Sequence, residues 1–235
     1  NVVGSSITRE VDATIHTHAG PEIAVASTKA YTSQLVTLSL FALYLGSLRE
    51  TLATEEIEKL LQDIKHLPEQ VSQVLAQSAF LQELATRYSQ YDRFLYLGRH
   101  INYPSALEGS LKLKEISYIH AEGYPAGEMK HGHIALIDER MPVLCIVTQS
   151  SVYEKMISNL QEVHARGGKV IAIATQGDSE IRGLIQDCVY LPGTHEFVSP
   201  ILVAVALQLF AYHVAVHRGL DVDQPRNLAK SVTVE

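Results

Sequence analysis

Four short apolar runs constrain this chain more than anything else in it: Phe94–Leu97, Val143–Val147, Val170–Ala174 and Val189–Leu191. Each is rich in β-branched or large aliphatic residues and is bounded by glycine, proline or polar residues, as buried strands are. Helix-patterned segments separate them, at 104–117, about 151–166 and about 200–217. Apolar strands alternating with helices imply βαβ units, because parallel neighbours need a long crossover and are covered on both faces. The expected fold class is therefore α/β, with a mainly parallel sheet between helices.

The last helical segment, PILVAVALQLFAYHVAVH, is apolar on nearly all sides and long enough to raise the question of a membrane. Gln208 and His213 lie inside it and no topogenic charges flank it, so it reads as a buried helix or a subunit interface. With 46% hydrophobic and 19% charged residues the chain can bury a substantial core. A formal charge of −7 argues against a nucleic-acid partner, which demands clustered Lys and Arg. Cys145 and Cys188 sit inside strand-like runs and read as buried thiols of a reducing compartment, not as a disulfide or metal pair. There is no charged-then-apolar leader, so the expected location is cytoplasmic.

Ahead of the α/β pattern, Asn1–Ser6 reads as the end of a buried strand running into a glycine turn, which suggests a fragment. VDATIHTHAG alternates and suits a short strand. Residues 24–48 have helical periodicity, with Leu35, Leu38, Phe41, Ala42 and Leu45 on one side and Ser27 or Thr28 as the cap. Residues 51–90 read as two or three amphipathic helices punctuated by Pro68, with Glu55, Glu56 and Glu58 favourably placed on a helix dipole. LYLGRH resembles a phosphate-binding turn, but GxGxxG is absent and no dinucleotide site is supported. His16-x-His18 and His131-x-His133 are same-face pairs without a third metal ligand at suitable spacing.

Chemistry is most concentrated between Pro104 and Gly132. Pro104 and Ser105 stand at a helix start, and Glu108, Lys112 and Glu115 then share one helical face at i, i+4 and i+7. A loop with Gly123, Gly127 and Gly132 follows, around Glu128, Lys130 and His131. Such pairs usually decorate a solvated face. Carboxylates, an ammonium and an imidazole this close are also the groups that proton transfer on a polar substrate needs.

The string ALEGSLKLKEISYIHAEGYPAGEMKHG, together with the terminal DQPRNLAKSVTVE, resembles the second sugar-isomerase (SIS) domain and the tail of the glucosamine-6-phosphate synthase family. The resemblance extends over the whole chain. It implies a three-layer αβα sandwich of the SIS type with an irregular C-terminal tail. It divides the chain into the back half of a first sugar-isomerase domain (1–50), a helical linker (51–90), the second domain (91–220) and a tail closing the sugar site (221–235). It also implies the making of glucosamine-6-phosphate from fructose-6-phosphate and glutamine-derived ammonia in amino-sugar biosynthesis, in a homodimer, without metal or organic cofactor.

Residue by residue, the resemblance gives Glu115 the role of proton-shuttling carboxylate. His131 becomes the ring-opening histidine, reaching the site from a neighbouring subunit, and Lys230 the lysine that takes the open-chain sugar through its carbonyl. Lys112 stands near the sugar hydroxyls, Val25 and Ser27 lie on a sugar-contacting loop, and Ala229 sits beside the lysine. The chain departs from the family in two ways. The glutamine-hydrolysing domain and the Ser/Thr-rich phosphate loops are not among these residues, and His133 stands where the motif usually has proline, whose ring would fix φ. Two other function classes stay open: a sugar-phosphate-binding sensor, and a structural dimerisation fragment.

Overall fold

The computed structural model describes residues 2–230. Its centre is a five-stranded, all-parallel sheet of β1 (Arg93–Gly98), β2 (His120–Pro125), β3 (Val143–Val147), β4 (Val170–Thr175) and β5 (Cys188–Leu191), in the order β2-β1-β3-β4-β5. Helices cover both faces, as the strand pattern requires. On one side lie α2 (Thr54–Leu75), α3 (Ser78–Tyr88), α4 (Asn102–Ser117) and α7 (Ser199–His217), around Phe94, Tyr96, Leu144, Ile146, Ile171 and Ile173. On the other side α5 (Tyr153–His164) and α6 (Ser179–Leu184) close over Leu95, Leu97, Cys145, Val147 and Ala172. The molecule is thus a three-layer αβα sandwich with a parallel sheet.

α7 is the keystone of the first layer. Nearly all of its apolar side chains are buried against α2, α3 and α4, which accounts for a helix apolar all round: it is enclosed by protein. His213 lies within it, with Nε2 2.9 Å from Ser78 Oγ, and burial lowers its pKa. Cys145 and Cys188 are both buried free thiols, and burial pushes each up to about 12.

Several elements depart from the sequence expectation, each for a physical reason. His120–Pro125, expected as glycine loop, is strand β2, paired with β1 from Arg93↔His120 to Gly98↔Pro125. An edge strand tolerates the exposed His120 and Glu122 and the terminal Pro125 that a central strand would not. Gly123 allows it to lie close on α4, since a Cβ there would stand 2.7 Å from Leu107 Cα and 2.8 Å from the Ala106 carbonyl oxygen. The short helix α6 was hidden by its length, and its only sequence mark is Asp178, whose Oδ1 accepts from Ile181 N–H. Pro68 does not end a helix but lies inside α2; the break comes at residues 76–77. The proline's missing hydrogen bond is outweighed by the burial of Leu60, Leu67 and Val74 along the same helix.

Residues 11–20 form no strand, and the sheet of the described residues is built from β1 to β5 alone. Ser6–Arg9 form a 3-10 turn, and Asn1 lies outside the described residues. The first long helix, α1 (Lys29–Leu48), has Thr28 at its N-cap position without a side-chain capping bond. Its buried residues are Ala30, Leu43 and Gly46, whereas Leu38, Phe41, Tyr44 and Leu48 are exposed, so much of its expected core side faces outward.

Candidate active site

α4 carries the first half of the site. Lys112 is 4% exposed, and its Nζ lies 2.5 Å from Glu115 Oε2 and 3.7 Å from Glu108 Oε1. The i, i+4, i+7 spacing has thus produced a buried charged triad, not a solvated stripe. Burial pushes the Glu108 carboxyl up, with the Lys112 charge pulling against it and that of Glu115 adding to it. Glu115 is the most open of the three, with a side chain 23% exposed, and therefore the carboxylate a substrate can reach.

Two irregular segments supply the second half. Val25 N–H donates to the Asp223 carbonyl (2.9 Å), joining residues 22–28 to the tail. Arg226 docks the tail on the C-terminal end of α4: its N–H donates to Tyr118 Oη (2.7 Å) and its guanidinium lies 4.2 Å from the centre of that ring. Lys230 Nζ donates to the Ala24 carbonyl (2.6 Å) and to Glu22 Oε2 (3.2 Å). Ala24, Ala26, Thr28, Lys112, Val222 and Asp223 line one cavity of about 180 Å³ between these parts. This is smaller than the roughly 300 Å³ at which ligand pockets begin. Ser27 is half-buried on the same loop, and Ala229 precedes Lys230 on the exposed tail. Tail residues 231–235 lie outside the described residues.

Glu22 is the residue sequence reasoning missed. Its Oε1 accepts from Thr28 N–H (2.8 Å), Thr28 Oγ1 (3.2 Å) and Ala30 N–H (3.3 Å), performing the capping expected of Ser27 or Thr28, while Oε2 takes Lys230. Burial raises its pKa, but the Thr28 and Ala30 amides and the Lys230 ammonium outweigh that and hold it at about 2. One permanently ionised carboxylate therefore fixes the loop, the start of α1 and the tail lysine together. Its only sequence signal was an acid six residues before Thr28, too far away for a capping rule.

His131 does not join this cluster. Its side chain is 73% exposed, and Nδ1 lies 2.8 Å from Glu128 Oε2. The 3-10 turn that carries it, Ala126–His131, is anchored by fully buried Ala126 and Met129 and by a 2.8 Å ion pair from Lys130 to Glu162 on α5. The imidazole is thus held on a firm base while open to solvent, and it does not line the cavity beside Lys112.

Beyond the carboxyl end of β3, on the side of the sheet where open α/β folds commonly bind ligands, the donors of Ser151 are engaged by the chain itself. Glu196 Oε2 accepts from Ser151 N–H (2.8 Å) and Ser151 Oγ (3.0 Å), and the Ser151 amide keeps its pKa low against burial. An internal carboxylate thus takes the donors that an anion would use there.

Comparison with known proteins bears on the family and the fold. The SIS domain family matches residues 87–218. The chain is 58% identical over 235 residues to glutamine–fructose-6-phosphate aminotransferase (isomerizing) of Thermus thermophilus, covering all of this chain and 39% of that protein. It is 54% identical to the protein of the same name from Chlorobaculum tepidum, of which it covers 38%. It therefore spans about two fifths of the length of these relatives. Among solved structures, the C-terminal domain of glucosamine-fructose-6-phosphate aminotransferase from Francisella tularensis superposes with a TM-score of 0.91 at 44% identity, over 96% of this chain and 64% of that one. Glucosamine-6-phosphate deaminase from Thermotoga maritima shares the fold, with a TM-score of 0.74 at 23% identity over 98% of this chain and 64% of that one.

Proposed function

The chain belongs to the SIS domain family, and from that premise we propose that it is the isomerase part of a glutamine–fructose-6-phosphate aminotransferase. In this reading it acts in the cytoplasm as at least a homodimer on a sugar phosphate, converting fructose-6-phosphate and ammonia to glucosamine-6-phosphate without metal or organic cofactor. The observation that supports the proposal is that Lys112 and the loop residues Ala24 and Ala26 line one small cavity, with Glu115 bonded to Lys112 and Lys230 bonded to the Ala24 carbonyl beside it.

The chemistry follows from the groups in place. Lys230 rests as an ammonium against Glu22 and the Ala24 carbonyl, an unreactive form. The open-chain ketone must draw it off that latch. Once deprotonated, its amine attacks C2, and loss of water leaves an imine that acidifies C1. Ammonia then displaces the lysine, and Glu115 moves a proton from C1 to C2, turning the ketose imine into the amino aldose. Lys112, buried beside Glu115, holds that carboxylate in place and itself stands near the sugar hydroxyls. His131 opens the sugar ring, and its exposure fits service to a neighbouring subunit's cavity. A sensor would need only hydroxyl and backbone contacts and has no use for a tail lysine at the cavity.

The domain division follows the same reading. Residues 1–50 form the back half of a first sugar-isomerase domain, which accounts for the outward apolar side of α1. Residues 51–90 link it to the second domain (91–220), and 221–235 form the closing tail. Thermal stability measured with and without glucosamine-6-phosphate tests the function. A ligand-induced rise in Tm that shrinks in Lys230→Ala is expected, since a ligand that binds only the folded state stabilises it. An equal rise in both proteins would remove Lys230 from the site.

A further inference from the structure

The turn that follows His131 contains an arrangement that the proposed chemistry does not use. Gly132 has φ +149° and ψ −52°, and a Cβ there would meet nothing within 4 Å. Glycine moves freely in this region and nothing packs against it, so Gly132 is a swivel between two short 3-10 turns, Ala126–His131 and His133–Leu136. The first turn is anchored through Met129 and Lys130. The second turn leaves Leu136 exposed and is tied to the core at its middle and end, where Ile134 packs on the second cluster and Ile137 is buried, so its first residue needs a separate hold.

What fixes the second turn at its start is His133. Its ring stacks on Tyr124 of β2, with centroids 3.6 Å apart and planes inclined by 29°. Its Nε2 lies 3.0 Å from Glu122 Oε1, on the same edge strand, so an ionised carboxylate there takes a proton carried on Nε2. The His133 side chain is 19% exposed, against 73% for His131 two residues earlier. Two histidines in one short segment thus have opposite environments: one clamped to the sheet edge, one presented to solvent. The clamp acts on the far side of the swivel from the anchored turn, so the backbone at His131 is held from both directions.

We propose that His133 is a positioning residue: its stack on Tyr124 and its bond to Glu122 lock the Gly132 swivel and so set the direction of the His131 imidazole. The proposal rests on the reading of His131 as the ring-opening group. His133 itself touches no substrate in this account. Its clamp does by side-chain contact what a ring closed on the backbone would do covalently. Position 133 is the first residue of a 3-10 turn, a place in a helical turn where a proline's missing N–H leaves no internal hydrogen bond unmade.

The test is steady-state isomerisation of fructose-6-phosphate by the full-length protein that carries this chain, comparing wild type, H133A, H133P, H131A and the double variant H131A/H133A. A displacement of about an ångström at a reacting group costs up to about 100-fold, so H133A should lower kcat by about 10- to 100-fold with KM nearly unchanged. H133P should recover most of that loss by fixing φ. The double variant should be no slower than H131A alone, because a residue acting only through His131 has nothing left to position. Full kcat in H133A would overturn the proposal, and so would a double variant slower than H131A by the factor H133A costs alone. An H131A variant with wild-type kcat would overturn it together with the ring-opening role. H131A inactive beside a fully active H133A would refute the positioning role and leave that reading standing.

Discussion

The frame from β1 to α7 and the two segments beside it, residues 22–28 and 221–230, are held by different forces. In the frame, whole side chains such as Phe94, Tyr96, Leu113 and Phe210 are removed from water, and each contributes about 1.5–3 kcal/mol by burial. The two segments have few such residues. They are joined by single polar contacts: Val25 to Asp223, Arg226 to Tyr118, and Lys230 to Glu22 and Ala24. Each contact of that kind contributes on the order of 1 kcal/mol. The proposed chemistry is divided along the same line, with Lys112 and Glu115 rigid on α4 and Lys230 on a weakly latched tail. A site that must open for a sugar and close over its carbonyl needs that asymmetry.

The contrast can be broken from either side. On the rigid side, Glu115→Gln should lower isomerisation by about 10³-fold, the range of a lost general base, while the protein keeps a cooperative thermal transition at a lowered Tm, because Lys112 loses its nearest counter-charge. A change below about tenfold would mean that another group moves the proton. On the latched side, deletion of residues 226–235 should abolish sugar turnover and leave the cooperative thermal transition in place. If the transition is lost with the tail, the tail belongs to the frame and the contrast fails.

Gly123→Ala tests the frame itself. Its new methyl would meet the backbone of α4, which cannot yield as a side chain can, and the expected destabilisation is about 3 kcal/mol, measured by denaturant unfolding. Glu22→Gln is subtler. The amide oxygen can still accept from Thr28 and Ala30, but Lys230 loses its charged partner and keeps only the Ala24 carbonyl. Stability should therefore fall by no more than about 1 kcal/mol, the pair being partly exposed on the lysine side. Because the folded pKa of Glu22 is about 2 against an ordinary 4.5, its contribution is complete above 4.5 and is lost as the pH falls towards 2. The variant should lack that part of the acid loss. The smallest effect concerns His213. Its pKa is lowered in the fold, so the unfolded chain takes up its proton first, and stability should decline as the pH falls below about 6.5. Replacing His213 with Gln should flatten that decline in a pH series of unfolding curves.

The same division explains how much could be read in advance. Strands β1, β3, β4 and β5 and helix α7 were legible because burial on both faces writes continuous apolar runs into a sequence. β2 was not, since an edge strand beside α4 needs only Gly123 and tolerates His120 and Glu122. Pro68 misled because local punctuation yields to the packing of a long amphipathic helix. On α4 the shared face of Glu108, Lys112 and Glu115 was readable from spacing, although its burial was not. Lys230 and the 22–28 loop have no periodicity at all, and only the likeness of the terminal motif to a known family pointed to them. Glu22 escaped both routes: its partners lie six, eight and 208 residues away, and no local pattern records such contacts.

The central claim is that the Lys230 amine meets a sugar carbonyl at the α4 cavity. Reductive trapping measures this most directly: the full-length protein is incubated with fructose-6-phosphate and borohydride, then digested and mapped by mass spectrometry. The account predicts one hexose-phosphate adduct, on Lys230, that is absent in Lys230→Arg and disappears when glucosamine-6-phosphate is present in excess. An adduct on Lys112 or on surface lysines alone, or none under conditions of active turnover, would contradict it.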